Sequence, residues 1–98
     1  MIHLSTLAQI IEYYPIEISS LYHLHYSGII KIVTIDETEY IHHEELPELE
    51  RILRIQQELN ISFDTMDVVL NLIEKINELQ IENDTLKNKL NLISVFEL

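Results

Sequence analysis

Apolar residues recur at helical spacing near the start of the chain, and turn residues bound each segment. Ser5 is the expected N-cap of a first helix, which ends at residues 13–15, where two tyrosines precede a proline. At least one of those tyrosine rings is expected to pack in the core. The positions of this helix at helical spacing are Leu4, Leu7, Ala8 and Ile11.

A second helix is expected to follow the proline and to end before Gly28, because glycine readily adopts the left-handed backbone found after many helices. Its positions at helical spacing are Ile18, Leu21, Tyr22 and His25. A β-branched run over residues 29–33 then predicts a strand, and residues 39–41 predict a second one. Residues 35–38 have the composition of a turn, so the two strands are expected to form a small hairpin.

A third and a fourth helix fill the rest of the chain. Pro47 fits the first turn of the third helix, where a missing N–H costs no helical hydrogen bond, and Asn60 is expected to end it. The expected buried positions of the third helix are Leu49, Ile52, Leu53, Gln56 and Leu59. Ser62 is the expected N-cap of a long last helix that continues to about Ile93 without an internal glycine or proline.

The last helix carries the most regular pattern in the chain, a heptad repeat. We call its core positions the seam, and they are Val69, Leu72, Ile76, Leu79, Asn83, Leu86, Leu90 and Ile93. An apolar period of 3.5 residues needs a partner helix to cover it, so we expect a homodimer. The single polar seam residue, Asn83, is of the kind that sets register and strand number in such helices.

The orientation of the two helices stays open. Glu82 and Lys87 flank the seam and would attract each other across a parallel pair, whereas an antiparallel pair would bring other charges together. Ile73 and Ile81 lie off the seam and favour the alternative that part of this helix packs on its own domain.

The composition of the chain excludes several classes of function. The 98 residues include 6 Lys and Arg against 17 Asp and Glu, a formal net charge of −11 at pH 7. Duplex nucleic acid is bound through Lys and Arg, so this acidic chain is poorly suited to it. Without cysteine there is no disulfide framework or thiol nucleophile. No apolar run is long enough to cross a bilayer and no basic leader opens the sequence, so we expect a soluble, cytoplasmic protein.

No motif for catalysis or cofactor binding is present, so we expect neither an enzyme nor a bound cofactor. A single glycine cannot build a phosphate-binding loop, and the nucleophile and metalloprotease motifs are missing. Histidines occur in two close pairs, His23 with His25 and His42 with His43. Residues two apart on a helix do not face each other, and neither pair has the spacing of a zinc site, so we predict no metal site.

The order of these elements resembles the MerR-type winged helix-turn-helix. Within that group, the chain resembles the CbpM-type chaperone modulators. The resemblance lies in the run from Tyr40 through Leu46, the run from Arg51 through Ile55, and residues 58–59 and 61–64. The tail over residues 79–90, with Glu82-Asn83 inside the heptads, resembles them as well. The similarity extends over roughly residues 4–92.

The resemblance implies a mainly α fold: a MerR-like winged helix-turn-helix with a small two-stranded wing over residues 1–61, and a long coiled-coil dimerisation helix over residues 62–98. It also implies a modulator that binds the J-domain of a DnaJ-like co-chaperone of the CbpA kind and limits its stimulation of the DnaK-type chaperone. A MerR-type transcriptional regulator without an effector domain is the alternative, and a purely structural dimerisation module is a third class.

The distribution of charge favours the protein-binding alternative. Residues 1–30 contain no Lys or Arg, although a second helix that reads DNA needs cationic side chains. Residues 1–50 hold one Lys and nine acids, a net charge of −8. The family implies that a J-domain presents a basic helix, which an acidic surface would attract. The candidate contact residues for this partner are Glu17, Tyr22, His25, Tyr26, Asp36, Glu37 and Glu39.

Overall fold

Helices dominate the computed structural model, which describes residues 3–96. The elements in chain order are β1 (Leu4–Thr6), α1 (Leu7–Tyr13), α2 (Ile18–Tyr26), β2 (Ile32–Ile35), β3 (Thr38–His42), α3 (Leu46–Leu59) and α4 (Met66–Phe96). Two 3₁₀ turns, His43–Glu45 and Phe63–Thr65, lead into α3 and α4. The chain divides into two compact units between Asp67 and Val68, and we call the first unit the head.

The three strands form one antiparallel sheet in the order β1-β3-β2. Ile41 in the central strand lies opposite Ser5 on one side and opposite Ile32 on the other. The predicted two-stranded hairpin is present as β2 and β3, but the sheet has a third strand that the sequence did not indicate. The missed strand is β1, which is three residues long and gains its hydrogen bonds from β3.

Helix α1 begins later than the sequence indicated, and Ser5 is a strand residue rather than its N-cap. The N-cap is Thr6, whose hydroxyl accepts a hydrogen bond from the Gln9 N–H at 3.2 Å. The Gln9 side chain accepts the Thr6 N–H in return at 2.9 Å. This capping box satisfies two N–H groups and requires that the helix start at Leu7. Leu7 and Ile10 are buried as a result, whereas the predicted positions Ala8 and Ile11 are exposed and Leu4 is half-buried in β1.

Helix α2 ends as predicted, because Gly28 follows the C-cap with a φ of +79°. The Gly28 N–H donates to the His25 carbonyl at 3.0 Å, and the Ile29 N–H donates to the Leu24 carbonyl at 2.9 Å. These two bonds are those of a Schellman motif, which satisfies carbonyls that the helix end leaves free. The motif turns the chain back toward the sheet, where Ile30 is buried outside any strand.

The hairpin between β2 and β3 is closed by two residues with left-handed backbones, Asp36 at φ 49° and Glu37 at φ 66°. Positive φ at both central positions is the signature of a type I′ turn, whose twist matches that of the two strands. Strand β2 begins at Ile32, later than predicted, because residues 28–30 complete the end of α2. Ile32 is buried but Ile35 is exposed, so β2 packs beneath the helices along only part of its length.

Helix α3 has the predicted boundaries. Pro47 lies in its first turn, and Asn60 ends it with a left-handed backbone at φ 50°. Its buried residues are Leu49, Ile52 and Leu53. The burial predicted for Leu59 was wrong, because this side chain is 56% exposed.

The apolar core of the head joins helices, sheet and the start of α4. Its fully buried large side chains come from every layer, namely Leu21, Leu24, Ile30, Ile41, Leu49, Ile52 and Met66. Ser62 accepts a hydrogen bond from the Asp64 N–H at 3.2 Å and so caps the 3₁₀ turn that precedes α4. Among the described residues, no helix is long and apolar enough to cross a membrane.

Candidate functional site

Four of the seven candidate contact residues meet where α2 lies beside β3, and we call this group the α2–β3 surface: Tyr22, His25, Tyr26 and Glu39. The Tyr22 hydroxyl donates a short hydrogen bond to the Glu39 carboxylate, which links the helix to the central strand. The rings of Tyr22 and Tyr26, one helical turn apart, stack with centroids 6.4 Å apart and planes at 22°. The arrangement presents aromatic area beside a carboxylate.

The electrostatics of this surface are set by Glu39. Its hydrogen bond to the Tyr22 hydroxyl raises the pKa of Tyr22 above the ordinary value, because the carboxylate stabilises the protonated phenol. Tyr22 therefore remains a neutral donor, and the negative charge of the pair stays on Glu39. Tyr26 is 81% exposed, so most of its ring is free to contact a partner.

His25 has an internal role that the sequence pattern did not reveal. Its Nδ1 accepts a hydrogen bond from the Ile32 N–H at 3.1 Å, at the start of the edge strand β2. A nitrogen that accepts carries no proton, so the neutral ring holds its proton on Nε2. His25 thus ties α2 to the sheet, and the side chain that adjoins it on the surface is Tyr26, at a centroid distance of 5.4 Å.

The other three candidates are exposed carboxylates. Asp36 and Glu37 form the hairpin turn, so both project from the tip of the wing. Glu17 occupies the N-cap of α2, where its side chain makes no capping hydrogen bond. Within residues 3–96, no hydrogen bond, ion pair or ring contact joins Glu17 to the other six candidates, so the structure does not bring it into the α2–β3 surface.

No cationic side chain contributes to this surface. Helix α2 contains no Lys or Arg, and the nearest in sequence, Lys31, is exposed just before β2. Within residues 3–96, the carboxylates paired with a basic side chain are Glu48, which meets Arg51 at 3.0 Å, and Asp64, which lies 3.9 Å from His23. Within the described part of the head, the acids of the wing therefore have no basic partner.

A second group of side chains was only partly foreseen. The Tyr14 hydroxyl donates to Glu50 at 2.7 Å, and the Tyr13 and Tyr14 rings meet edge to face at 4.9 Å. Neither ring belongs to the core, so the prediction that at least one would pack there was wrong; Tyr14 is half-buried and Tyr13 is 80% exposed. Glu50 lies 36 residues from Tyr14, and no local spacing signals the pair.

The histidine pairs do not assemble a metal site with neighbouring acids. Across residues 3–96, no three His, Asp or Glu side chains converge as ligands. His43 instead hydrogen-bonds the Ser5 hydroxyl at 2.8 Å, and its ring lies 5.9 Å from that of His3.

All eight residues of the predicted seam lie within α4. Six of its apolar members are more than half exposed in the single chain, and they are Leu72, Ile76, Leu79, Leu86, Leu90 and Ile93. Asn83 falls between them, with Glu82 and Lys87 exposed on either side. A solvated apolar stripe of this length leaves much hydrophobic area for a partner helix to cover.

Comparison with known proteins identifies the family of the chain. A family model described as MerR HTH family regulatory protein matches residues 5–88. The matched segment begins in β1 and ends within α4, so it includes all candidate contact residues and the seam as far as Leu86. No curated protein and no solved structure matches the chain.

Proposed function

The chain belongs to the MerR HTH family of regulatory proteins, which are not enzymes, and we propose that it regulates by binding a protein rather than DNA. The proposed partner is the J-domain of a DnaJ-like co-chaperone. Binding would occupy the J-domain and limit its stimulation of the DnaK-type chaperone. The resemblance of the sequence to CbpM-type modulators supports this choice within the family.

The chemistry of α2 is the observation that carries the proposal. In a helix-turn-helix protein the second helix enters the major groove, and cationic side chains hold the phosphates on both sides. Here α2 offers Tyr22 and Tyr26, and Glu39 lies against it from β3. A carboxylate in this place repels phosphate, whereas it attracts the Lys and Arg side chains of a basic protein.

The aromatic and the acidic residues would contribute differently to binding. The stacked Tyr22 and Tyr26 rings supply the amphipathic area that often dominates the binding energy of protein interfaces. Glu39, Asp36 and Glu37 supply the negative potential that accelerates association and selects a basic partner. The proposal includes a homodimer held by the seam, which would give each particle two such surfaces.

A charge-removal experiment tests the proposal on the residues that carry it. Asp36→Asn with Glu37→Asn removes two charges from the wing while keeping side chains that tolerate the positive φ of a type I′ turn. We expect slower association with the J-domain and weaker binding at low salt. The matched control is Glu58→Gln with Asp67→Asn, which removes two exposed charges elsewhere in the head.

Three results would separate the classes of function. Binding of the J-domain that responds to the wing variant and not to the control supports the modulator. Retention on duplex DNA at low salt, lost steeply as salt is raised, would support the transcriptional regulator instead. A stable dimer that binds neither J-domain nor DNA would leave only the structural module.

A further inference from the structure

A cleft on the head lies away from the residues assigned to the proposed partner. It is open to solvent, has a volume of about 530 Å³ and is lined by residues of β1, α1, the 3₁₀ turn before α3 and the start of α3. Ile10 and Leu46 supply apolar lining, and Tyr13, Tyr14 and His43 supply rings. A volume of this order accommodates a long side chain with its neighbouring backbone.

Two tyrosines in the cleft lining form an aromatic corner. The Tyr13 and Tyr14 rings stand at 78° with centroids 4.9 Å apart, and Tyr13 is 80% exposed. Tyr14 donates to the exposed carboxylate of Glu50 at 2.7 Å, which places a negative charge beside the corner. The faces of tyrosine rings and a carboxylate both attract cations, and neither attracts anions.

The surroundings carry the same sign of charge. No Lys or Arg lines the cleft, and on α3 the Arg51 guanidinium is paired with Glu48 at 3.0 Å. Glu12 adjoins Tyr13 in sequence, and Glu44 adjoins His43; both are exposed. An occupant with an apolar body and a cationic end would therefore match the lining at both ends.

From this complementarity we propose that the cleft binds a lysine or arginine side chain carried on an extended segment of a basic protein. The aliphatic stem of that side chain would lie on Ile10 and Leu46, and its charged group would lie at the Tyr13–Tyr14 corner near Glu50. Lys and Arg combine an apolar stem with a charged tip, which is the combination that the cleft lining requires. The site is separate from the α2–β3 surface.

The test is a titration of the full chain with an acetylated, amidated peptide, Ala-Arg-Ala-Lys-Ala, followed by NMR. We expect saturable shifts at Tyr13, Tyr14 and His43. A peptide with citrulline and norleucine in place of its arginine and lysine keeps the stems and removes both charges, and it should bind much more weakly. Methylguanidinium serves as the free cation and should also bind more weakly, because it lacks the stem.

Variants locate the site. Tyr13→Leu should weaken peptide binding about two- to fivefold, the range of an exposed cation–π contact, and Tyr13→Phe should restore it. Glu50→Gln should weaken binding and reduce its salt dependence. The matched control for Glu50→Gln is Glu58→Gln, which removes an exposed carboxylate from the far end of the same helix.

Four outcomes would overturn the inference. They are equal binding of the uncharged peptide, equal binding of methylguanidinium, a loss on Glu58→Gln as large as that on Glu50→Gln, and no saturable binding at all. Because no J-domain enters this experiment, its failure leaves the proposed function untouched, and the failure of the proposed function leaves the cleft untouched.

Discussion

The exposed area of the seam residues allows the change in dimer Kd on mutation to be predicted. Leu79 lies on the seam and is 63% exposed in the single chain, whereas Ile81 is 68% exposed but lies about 200° around the helix from it. Truncating each side chain to alanine removes apolar area of similar size, and alanine slightly favours a helix in both cases. Comparing Leu79→Ala with Ile81→Ala therefore separates the loss of seam contacts from any effect on the stability of α4 itself.

The expected magnitude follows from the exposed area. Full burial of a leucine side chain contributes about 1.5–3 kcal/mol, so covering the exposed 63% of Leu79 contributes roughly 1–2 kcal/mol for each chain. Alanine retains one carbon of the side chain, which leaves a loss of about 1 kcal/mol per chain and about 2 kcal/mol per dimer. The dimer Kd should rise about 30-fold for Leu79→Ala.

Sedimentation equilibrium over a range of protein concentrations measures this change. Ile81→Ala should leave the dimer Kd within about twofold of the unmodified chain, since a surface truncation away from an interface has little effect. Equal weakening by both variants would refute the assignment of the seam. A chain that is monomeric at every concentration would refute the dimer altogether.

Two further predictions concern the head. Gly28→Ala should lower stability by about 1 kcal/mol and Tm by about 4–8 °C, because alanine is strained at φ +79° although nothing lies within 4 Å of the added carbon. The control is Asn60→Gly, at a left-handed position that asparagine already tolerates, and it should leave Tm nearly unchanged in the same thermal scan. An unaltered Tm for Gly28→Ala would contradict the C-cap geometry. Burial and the Glu50 carboxylate raise the pKa of Tyr14 to about 12. The protonated Tyr14 hydroxyl therefore stabilises the fold fully below the ordinary tyrosine pKa of 10, and this stabilisation is lost as pH rises through 12. Urea unfolding of Tyr14→Phe at neutral and high pH should show a smaller loss of stability over that range than the unmodified chain, and an equal loss would contradict this origin.

Local chemistry made much of the fold predictable. Gly28 and Asn60 indicate helix ends, because few other residues adopt a left-handed backbone at low energetic cost. In the structure both residues have this left-handed backbone. The heptads of α4 are visible because a long helix repeats its environment at a fixed period. In each case the signal and its structural consequence lie within a few residues of each other.

Features that depend on distant partners could not be foreseen. Ser5 has the chemistry of an N-cap, but β1 forms because β3 lies beside it, and pairing overrides local preference in so short a strand. The Tyr14–Glu50 bond joins residues 36 apart, and the Tyr22–Glu39 bond joins residues 17 apart. The candidate contact residues were named individually from charge and position, and only the packing of α2 on the sheet shows which of them meet.

The most direct test of the proposed function is a calorimetric titration of the full chain with the J-domain of a DnaJ-like co-chaperone from the same organism, at low and at raised salt. We expect saturable binding at micromolar concentration or tighter, weakened but not abolished by salt, because aromatic contacts persist when charges are screened. No heat of binding in either condition would contradict it.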